Sequence, residues 1–311
     1  AGLIRLKKVG GTFQVISNFS VQTKNGLKSL SGLQSLKEIG GNFSIIGNKQ
    51  LESLKGIESI EEIGGILILE DNPLLKEITN LKNLISLSEI CIKNLPLFKD
   101  FSGLPELESI ESLFIQNCNS LLNMKGIESI QKIKRVSIFE NKNLENIDNF
   151  ADTQWSTAYI SNNEHLVSLE GLSGSTRVND ILLQENHSIQ NLNGLSNIRE
   201  ISGTLYLEHN GIKTAEALKN ITAIGTLKVC EQNLKEIILP ELESLKNLSI
   251  TYSHDTIAFP KFNGNKLDDL TLVSTSVSKL FLPGITEIGN LEIYDCTPRS
   301  IAIFSSLHCV R

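Results

Sequence analysis

Aromatic residues are scarce in this chain. Phe, Tyr and Trp make up 5% of the 311 residues, with one Trp and one Met, whereas Leu and Ile carry most of the apolar content. A compact core of this size usually depends on large aromatic side chains. The shortage argues against a thick globular core and favours a thin, layered interior of aliphatic side chains.

Basic clusters and long apolar runs are lacking as well. The net charge is −6 and no run of five Lys or Arg residues occurs, so a nucleic-acid or anionic-membrane partner is not expected. No apolar stretch reaches the roughly 18 residues that a membrane-spanning helix requires. The chain starts without Met or an apolar leader, so we expect a mature fragment whose export signal or anchor, if it has one, lies upstream.

A repeat of about 23 residues runs through the whole sequence. The string KGIESI occurs at residues 55–60 and again at 125–130, three such steps apart. Around it recurs a frame of six positions: apolar, any, apolar, any, any, Asn. A fixed period of this length is the signature of a solenoid, in which each repeat makes one coil. The thirteen frames begin at Phe13, Phe43, Leu67, Ile90, Leu113, Val136, Ala158, Ile181, Leu205, Leu227, Leu248, Leu270 and Leu291.

The frame predicts a strand followed by a buried turn residue. The first and third positions are apolar in every copy, which indicates a short strand with one buried face. The sixth position is most often Asn, as at Asn48 and Asn186, with Cys118, Cys296 and Gln232 among the variants. A buried amide at this place can satisfy backbone groups of its own coil and of the next. We therefore expect a ladder of inward-facing asparagines.

The segments between strands have a different rhythm. Apolar residues recur at every third position, as in Leu51, Leu54, Ile57, Ile60 and Ile63. This spacing fits short extended or 3₁₀ segments that wind around a narrow core. Gly-Gly pairs are expected in the turn that enters a strand, at 10–11, 40–41 and 64–65. Apolar-Pro pairs predict a corner in the later, shorter repeats, at 239–240, 259–260 and 282–283.

Residues 30–75, LSGLQSLKEIGGNFSIIGNKQLESLKGIESIEEIGGILILEDNPLL, resemble the receptor L-domain branch of the leucine-rich-repeat superfamily. The shared pattern is gL-x-x-L-x-x-I-g-G-x-L-x-I-x-x-N. The resemblance extends strongly over 1–210 and loosely over 211–311. The sequence has neither the cysteine-rich module nor the kinase of growth-factor receptors, and so is more similar to the free-standing surface solenoids of fungi and gut bacteria.

Repeat and resemblance together predict the fold class. We expect a mainly β, right-handed leucine-rich-repeat or receptor-L-domain-like β-solenoid of about 13 coils with one long parallel sheet. The predicted domain organisation is a single solenoid over 1–311. Its regular coils would cover 1–210, and its shorter, proline-cornered coils would cover 211–311.

Catalytic motifs are absent from the sequence. No GxSxG, HExxH, P-loop or GxGxxG pattern occurs, and carboxylate pairs such as Glu61 and Glu62 fit the ordinary charged exterior of a repeat. His187 and His254 share a frame position but lie three coils apart, too far for one metal ion. We therefore predict no catalytic residue, no metal site and no cofactor. Solvent-exposed surface positions are expected for all five histidines, His165, His187, His209, His254 and His308.

The five cysteines define no disulfide framework, because their number is odd and their spacing matches no known pattern. Cys118 and Cys296 hold the ladder position and are expected to be buried thiols. Cys91 and Cys230 are expected to face outward in coils too far apart to bond. Cys309 follows the last strand and either bonds to Cys296 or stays reduced. The single tryptophan, Trp155, stands where other coils have a core Ile and is expected in the core.

Outward sheet positions carry a stripe of large apolar residues: Ile68, Phe114, Phe139, Tyr159, Leu182 and Tyr206. One interpretation is an interaction surface, since Tyr and Phe give large contact area at little entropic cost. The other is that sheet surfaces simply favour such residues. The flanking fourth and fifth positions are acidic, which fits a partner with basic and apolar patches. These acidic residues are Glu70, Asp71, Glu140, Glu185, Glu208 and Glu231.

The sequence thus favours a non-enzymatic module, secreted or at the cell surface, that binds a protein through its sheet face. Lipid or wall anchoring through segments missing here would fit that location. Glycan binding is the first alternative, because Tyr rings beside Glu, Gln and Asn can stack on sugars and bond their hydroxyl groups. A structural spacer or wall component without a specific ligand is the second.

Overall fold

A computed structural model of the chain describes residues 3–18, 26–252, 256–275 and 279–296. Residue contacts divide the chain into two compact units, Ala1–Trp155 (unit 1) and Ser156–Arg311 (unit 2). Within the described residues the secondary structure consists of strands and single-turn 3₁₀ helices. No helix in this part of the chain is long and apolar enough to cross a membrane. Cys309 lies outside the described residues.

Unit 1 is a solenoid of parallel strands. Each inward residue that opens a frame pairs with the corresponding residue of the next coil, as Phe43 does with Leu67 and Leu67 with Ile90. This coil-to-coil register is what the repeat predicts. The strands are β1 (Lys8–Val9), β2 (Phe13–Ile16), β3 (Glu38–Ile39), β4 (Phe43–Ile46), β5 (Glu62–Glu70), β6 (Ser86–Lys93), β7 (Ser109–Gln116) and β8 (Lys132–Phe139), with 3₁₀ turns at Thr79–Leu81 and Asp148–Phe150.

Unit 2 follows the same plan, and its frame residues also stay in register from coil to coil, as Ile181 pairs with Leu205 and Leu205 with Leu227. Its strands are β9 (Gln154–Ser161), which begins two residues before the unit, β10 (Arg177–Val178), β11 (Asp180–Gln184), β12 (Glu200–Glu208), β13 (Ala223–Cys230), β14 (Glu236–Ile238), β15 (Ser244–Thr251), β16 (Thr256–Ala258), β17 (Lys266–Val273), β18 (Lys279–Phe281) and β19 (Glu287–Tyr294). The 3₁₀ turns are Glu170–Leu172, Asn193–Leu195 and Glu216–Leu218.

The core is mainly aliphatic, as the composition predicts, although Phe side chains such as Phe98 and Phe101 are also fully buried in it. The residues of the three-residue rhythm, Leu51 to Ile63, are all at most 1% exposed, so the chain between strands does present one residue in three to the inside. Trp155 is 4% exposed, which confirms its core position. All thirteen frames begin within strands. The predicted leucine-rich-repeat-like β-solenoid with a parallel sheet is therefore confirmed as a fold class.

The Gly-Gly pairs mark places where successive coils approach closely. A Cβ atom on Gly64 would lie 2.5 Å from the carbonyl oxygen of Gly40, closer than non-bonded atoms can come. Gly64 and Gly65 lie inside β5, at a register shift between Ile63 and Ile66. The expectation of a turn is therefore wrong at this pair: the glycines form an irregularity within a continuous strand.

The proline-cornered coils of unit 2 carry a second parallel sheet that the sequence did not predict. It consists of β14, β16 and β18, with Ile237 in register with Ile257, and Ile257 with Leu280. Each of these strands ends just before an apolar-Pro pair. Each proline therefore lies at a corner, as expected. The strand before it was not predicted, because the apolar spacing of three residues also fits irregular structure.

The asparagine ladder forms in both units. In unit 1 the Asn48 backbone N–H donates to Asn72 Oδ1 at 3.0 Å, and Asn72 Nδ2 donates to the Ile45 carbonyl at 2.8 Å. In unit 2 the Asn163 N–H donates to Asn186 Oδ1 at 3.1 Å. Each amide thus satisfies backbone groups of neighbouring coils at a turn that excludes water.

The tenth coil departs from the predicted ladder. The Asn210 N–H donates to Glu231 Oε1 at 3.0 Å, so Glu231 occupies the position that the frame assigns to Gln232. Glu231 is fully buried, whereas Gln232 is exposed. The prediction of Gln232 was wrong because the turn after β13 is shorter than the others, and the separation between successive ladder residues falls from 24 to 21.

Candidate functional site

The outward face of unit 1 carries part of the predicted stripe, which we call the phenylalanine patch: Ile68, Cys91, Phe114 and Phe139. Ile68, Cys91 and Phe114 are in register on consecutive strands. The rings of Phe114 and Phe139 lie 5.5 Å apart between centroids, so they form one aromatic surface. All four side chains are half-buried, because close strand spacing lets each one cover its neighbours.

The outward face of unit 2 carries the remaining predicted residues, which we call the tyrosine patch: Tyr159, Leu182 and Tyr206. They are in register on β9, β11 and β12. All three are half-buried. Burial, and then a hydrogen bond to Glu208, raises the pKa of Tyr206, so its hydroxyl stays protonated and can donate.

The predicted acidic edge is partly neutralised. Glu70 pairs with Lys93 at 3.0 Å, and Gln116 donates to Glu140 at 3.0 Å. Glu231 is in the ladder and contributes nothing to the outer edge, which corrects the expectation for that residue. The edge is therefore a mixed polar rim rather than a uniformly acidic one.

The turn that follows each strand places its fifth frame residue in a left-handed backbone conformation. Positive φ angles occur at Glu185 (55°), His209 (50°) and Tyr252 (76°). The fifth residue of the intervening tenth coil is Glu231, which has no positive φ and turns into the ladder instead. Glu231 therefore does not stand between His209 and Tyr252 on the outer surface. The Tyr252 side chain extends past the tenth coil and contacts His209.

His209 is held by partners on both sides of its ring. Its Nδ1 lies 2.8 Å from Glu185 Oε1, and its Nε2 lies 3.0 Å from the Tyr252 hydroxyl. Glu185 also lies 3.3 Å from His187. A carboxylate can only accept, so Nδ1 carries the proton opposite Glu185 and the lone pair of a neutral ring is on Nε2.

Cys230 and Glu208 complete this group, which we call the His209 cluster: Glu185, Glu208, His209, Cys230 and Tyr252. Cys230 Sγ lies 3.7 Å from His209 Nε2, and one ligand atom each from Glu208, His209 and Cys230 all fall within 4.8 Å of one another. The three residues are half-buried. Burial, and then the charge of Glu208, raises the pKa of the Cys230 thiol.

A buried carboxyl lies directly beside the cluster. Glu231 Oε1 accepts from Asn210 Nδ2 at 2.7 Å, but Glu231 Oε2 is buried without a hydrogen-bond partner. Burial raises the pKa of Glu231, and the two bonds from Asn210 lower it less. An adjacent pocket of about 260 Å³ is lined by Glu185, His187, His209, Asn210, Gln232, Asn233 and Tyr252.

The histidines and cysteines divide by position. His165 and His187 are exposed as expected, whereas the expectation is wrong for His209, which is half-buried and packs its ring against Tyr252 at 5.9 Å between centroids. Cys118 is buried as expected, whereas Cys296 is half-buried, so the prediction of a buried thiol is wrong there; Cys91 and Cys230 lie on the outer sheet face. His254, His308 and the Cys296 to Cys309 pairing lie outside the described residues.

Sequence reasoning missed the His209 cluster because it searched for histidine pairs within one frame column. In the cluster, Glu208 and Cys230 hold the fourth frame position of their coils. The other three members, Glu185, His209 and Tyr252, hold the fifth. The 22-residue step from Leu205 to Leu227 did not mark this turn, because the step from Val136 to Ala158 has the same length and leads to a regular ladder residue, Asn163.

Comparisons with known proteins give limited information. A scan against models of protein families finds no match, and a search of curated proteins also finds none. Among solved structures, the chain is similar to a leucine-rich-repeat protein of Leptospira interrogans, at 14% identity and a TM-score of 0.27, with 92% of this chain and 93% of that chain covered. A TM-score of this size does not establish a common fold.

The fold is therefore assigned from the strand register and the ladder hydrogen bonds. They define each unit as a leucine-rich-repeat-like β-solenoid, a class whose repeated outer surfaces typically serve as interaction modules. The receptor L-domain branch in particular rests on the sequence resemblance.

Proposed function

We propose that this chain is a non-catalytic recognition module, displayed outside the cell, that binds a protein partner through the outer face of its parallel sheet. The observation that carries the proposal is the paired Phe114 and Phe139 rings on the sheet of unit 1. Rigid aromatic side chains offer large contact area at low entropic cost, and they dominate the energetics of most protein interfaces.

The tyrosine patch supports the same role in unit 2. Tyr159 and Tyr206 flank Leu182 on a rigid sheet surface, with Lys228 in register beyond Tyr206. An apolar centre bordered by charged groups of both signs matches the usual anatomy of a protein interface. Gln184 and Glu208 beside the tyrosines keep glycan binding as the second candidate, since they could bond sugar hydroxyls while the rings stack.

The test uses the full chain against arrays of purified extracellular proteins and of glycans. Phe114→Ser/Phe139→Ser and Tyr159→Ser/Tyr206→Ser are compared with Ile85→Ser and Val167→Ser, whose side chains are 75% and 56% exposed away from the patches. A patch variant should weaken binding by about 30-fold or more, the loss typical of an interface hot spot, while the controls bind like the wild type.

The outcomes separate the candidates. A glycan ligand lost in the tyrosine variant would replace the protein-binding proposal with the second candidate. A chain that folds but binds nothing on either array, or whose ligands ignore both patch variants, would leave the spacer as the better description. Protease treatment of intact source cells, with mass spectrometry of the released peptides, tests display outside the cell.

A further inference from the structure

We propose that unit 2 contains a zinc site whose ligands are Cys230 Sγ, His209 Nε2 and a carboxylate oxygen of Glu208. This inference does not depend on the proposed recognition role. It opposes the expectation from sequence that the chain has no metal site, and it follows from where the shortened turn after β13 brings these three side chains.

The spacing of the ligand atoms fits a tetrahedral ion. A sulfur about 2.3 Å and a nitrogen about 2.0 Å from a tetrahedral zinc ion lie about 3.5 Å from each other. Cys230 Sγ and His209 Nε2 are 3.7 Å apart, and a Glu208 oxygen lies within 4.8 Å of both. Zinc would draw the Glu208 oxygen to about 3.5 Å from both of the other ligand atoms.

The chemistry of the donors selects the metal. One thiolate, one imidazole and one carboxylate form a mixed set that suits zinc and similar first-row divalent ions. Calcium and magnesium favour oxygen ligands alone and would gain little from a thiolate. Three protein ligands leave a fourth position for water.

The surrounding hydrogen bonds are those that zinc ligands usually have. A ligating histidine generally donates its other ring N–H to a carboxylate, and Glu185 accepts from His209 Nδ1 at 2.8 Å. Ligating carboxylates are themselves hydrogen-bonded, and Glu208 accepts from Gln184 and Tyr206. This bond keeps the ring proton on Nδ1 and the lone pair on Nε2, so zinc would take the place of the Tyr252 hydroxyl, which lies 3.0 Å from Nε2.

The charge around the site favours a cation. Two carboxylates lie beside the proposed ligand atoms, Glu185 against His209 Nδ1 and Glu208 within 4.8 Å of His209 and Cys230. A zinc thiolate requires that Cys230 give up its thiol proton. Zinc binding therefore forms the Zn–S bond as the S–H bond breaks, and the proton leaves to solvent with no change of oxidation state.

The experiment measures Zn²⁺ affinity of the full chain, stripped with a chelator that is then removed, in competition with a chromophoric chelator. Cys230→Ser and Glu208→Gln should each weaken binding by about 100-fold or more, and Glu185→Ala by about 10- to 100-fold through loss of ring orientation. Cys91→Ser removes another half-buried outer-face thiol and should leave the affinity unchanged. Circular dichroism confirms that each variant folds.

Cobalt substitution supplies an independent readout. Co²⁺ bound to the wild type and to Cys91→Ser should show a thiolate-to-metal charge-transfer band, and Cys230→Ser should lack it. Equal Zn²⁺ affinity in the wild type and Cys230→Ser would overturn the proposal. So would a thiolate band that survives in folded Cys230→Ser, because the metal would then be bound by another cysteine.

Discussion

Glu231 shows how one residue can depart from a repeat. It occupies a ladder position that most often holds a neutral amide, and its Oε2 is buried without a partner. The ladder amides use the equivalent group as a donor, as Asn210 Nδ2 does toward the Leu183 carbonyl at 2.8 Å. A carboxylate oxygen cannot donate to a carbonyl, so this coil leaves one hydrogen bond unmade.

Glu231→Gln should therefore stabilise the chain. The amide keeps an acceptor for Asn210 and replaces the unpartnered oxygen with a donor, so we expect the free energy of unfolding at pH 7 to rise by about 1–3 kcal/mol. Urea denaturation followed by circular dichroism measures it. The matched change at exposed Glu243, Glu243→Gln, should shift the value by less than about 0.5 kcal/mol. A less stable Glu231→Gln variant would contradict this account of the ladder.

Cys118 should be inert in the folded chain. It is fully buried, and burial raises its pKa to about 12, so at pH 8 almost no thiolate exists to react. Iodoacetamide at pH 8 followed by mass spectrometry should find Cys118 unmodified in buffer but modified in urea. Modification in buffer at the rate seen in urea would show that the ladder opens there.

The same shift gives a stability prediction. The unfolded thiol has a pKa near 9.0, the folded one about 12, so the unfolded chain loses its proton first as pH rises. The contribution of the buried Cys118 thiol to the free energy of unfolding is therefore complete below pH 9 and is lost as the pH rises toward 12. The stability of the wild type relative to Cys118→Ala should accordingly fall between pH 8 and pH 10.5 in urea denaturation. A constant difference across that range would count against a buried neutral thiol.

At the scale of the element, the turn after each strand depends on the ladder. Asn186 accepts from the Asn163 N–H at 3.1 Å and donates through Nδ2 to the carbonyls of Ile160 and Gln184, each at 2.9 Å. One side chain thus joins its own coil to the preceding coil. The strands themselves are short, and their edges are satisfied only by the next coil.

Asn186→Ala should destabilise the chain by about 2–4 kcal/mol, because several buried backbone groups lose their partner at once. The control Asn233→Ala changes an exposed asparagine and should cost less than about 0.5 kcal/mol. Urea denaturation measures both losses in the free energy of unfolding, from the shift of each midpoint at an unchanged m-value. Equal midpoints for the two variants would mean that water replaces the ladder amide without cost.

At the scale of the whole molecule, stability should behave as a sum of nearest-neighbour terms. In unit 1, Asn48 and Asn72 are directly bonded at 3.0 Å, whereas Asn141 bonds to Cys118 at 2.9 Å, several coils away. Coupling energy should therefore depend on coil separation rather than on residue type.

A double-mutant cycle tests this. Asn48→Ala with Asn72→Ala should be non-additive by about 0.5–3 kcal/mol, since Asn72 Oδ1 accepts from the Asn48 backbone N–H and both side chains hold the same turn. Asn48→Ala with Asn141→Ala should be additive within about 0.5 kcal/mol. Equilibrium unfolding of the single and double variants supplies both cycles. Strong coupling of the distant pair would show that unit 1 does not behave as a chain of local interfaces.

The sequence by itself determined the solenoid. Each repeat of about 23 residues has two inward apolar positions and, most often, an amide, and it can bury its apolar face only against a neighbouring repeat. The strand positions, the core residues and the ladder therefore follow from the spacing. The outward face was predicted for the same reason, because side chains alternate across a strand.

Tertiary structure alone decided what the irregular coils do. The shortened turn after β13 moved Glu231 into the ladder and let Tyr252 reach His209 across 43 residues, so Glu208, His209 and Cys230 came together. The second sheet of β14, β16 and β18 likewise appeared only in three dimensions. A period fixes which residues repeat. Where a coil breaks the period, the side chains that meet are set by the path of the backbone, and no spacing in the sequence records that path.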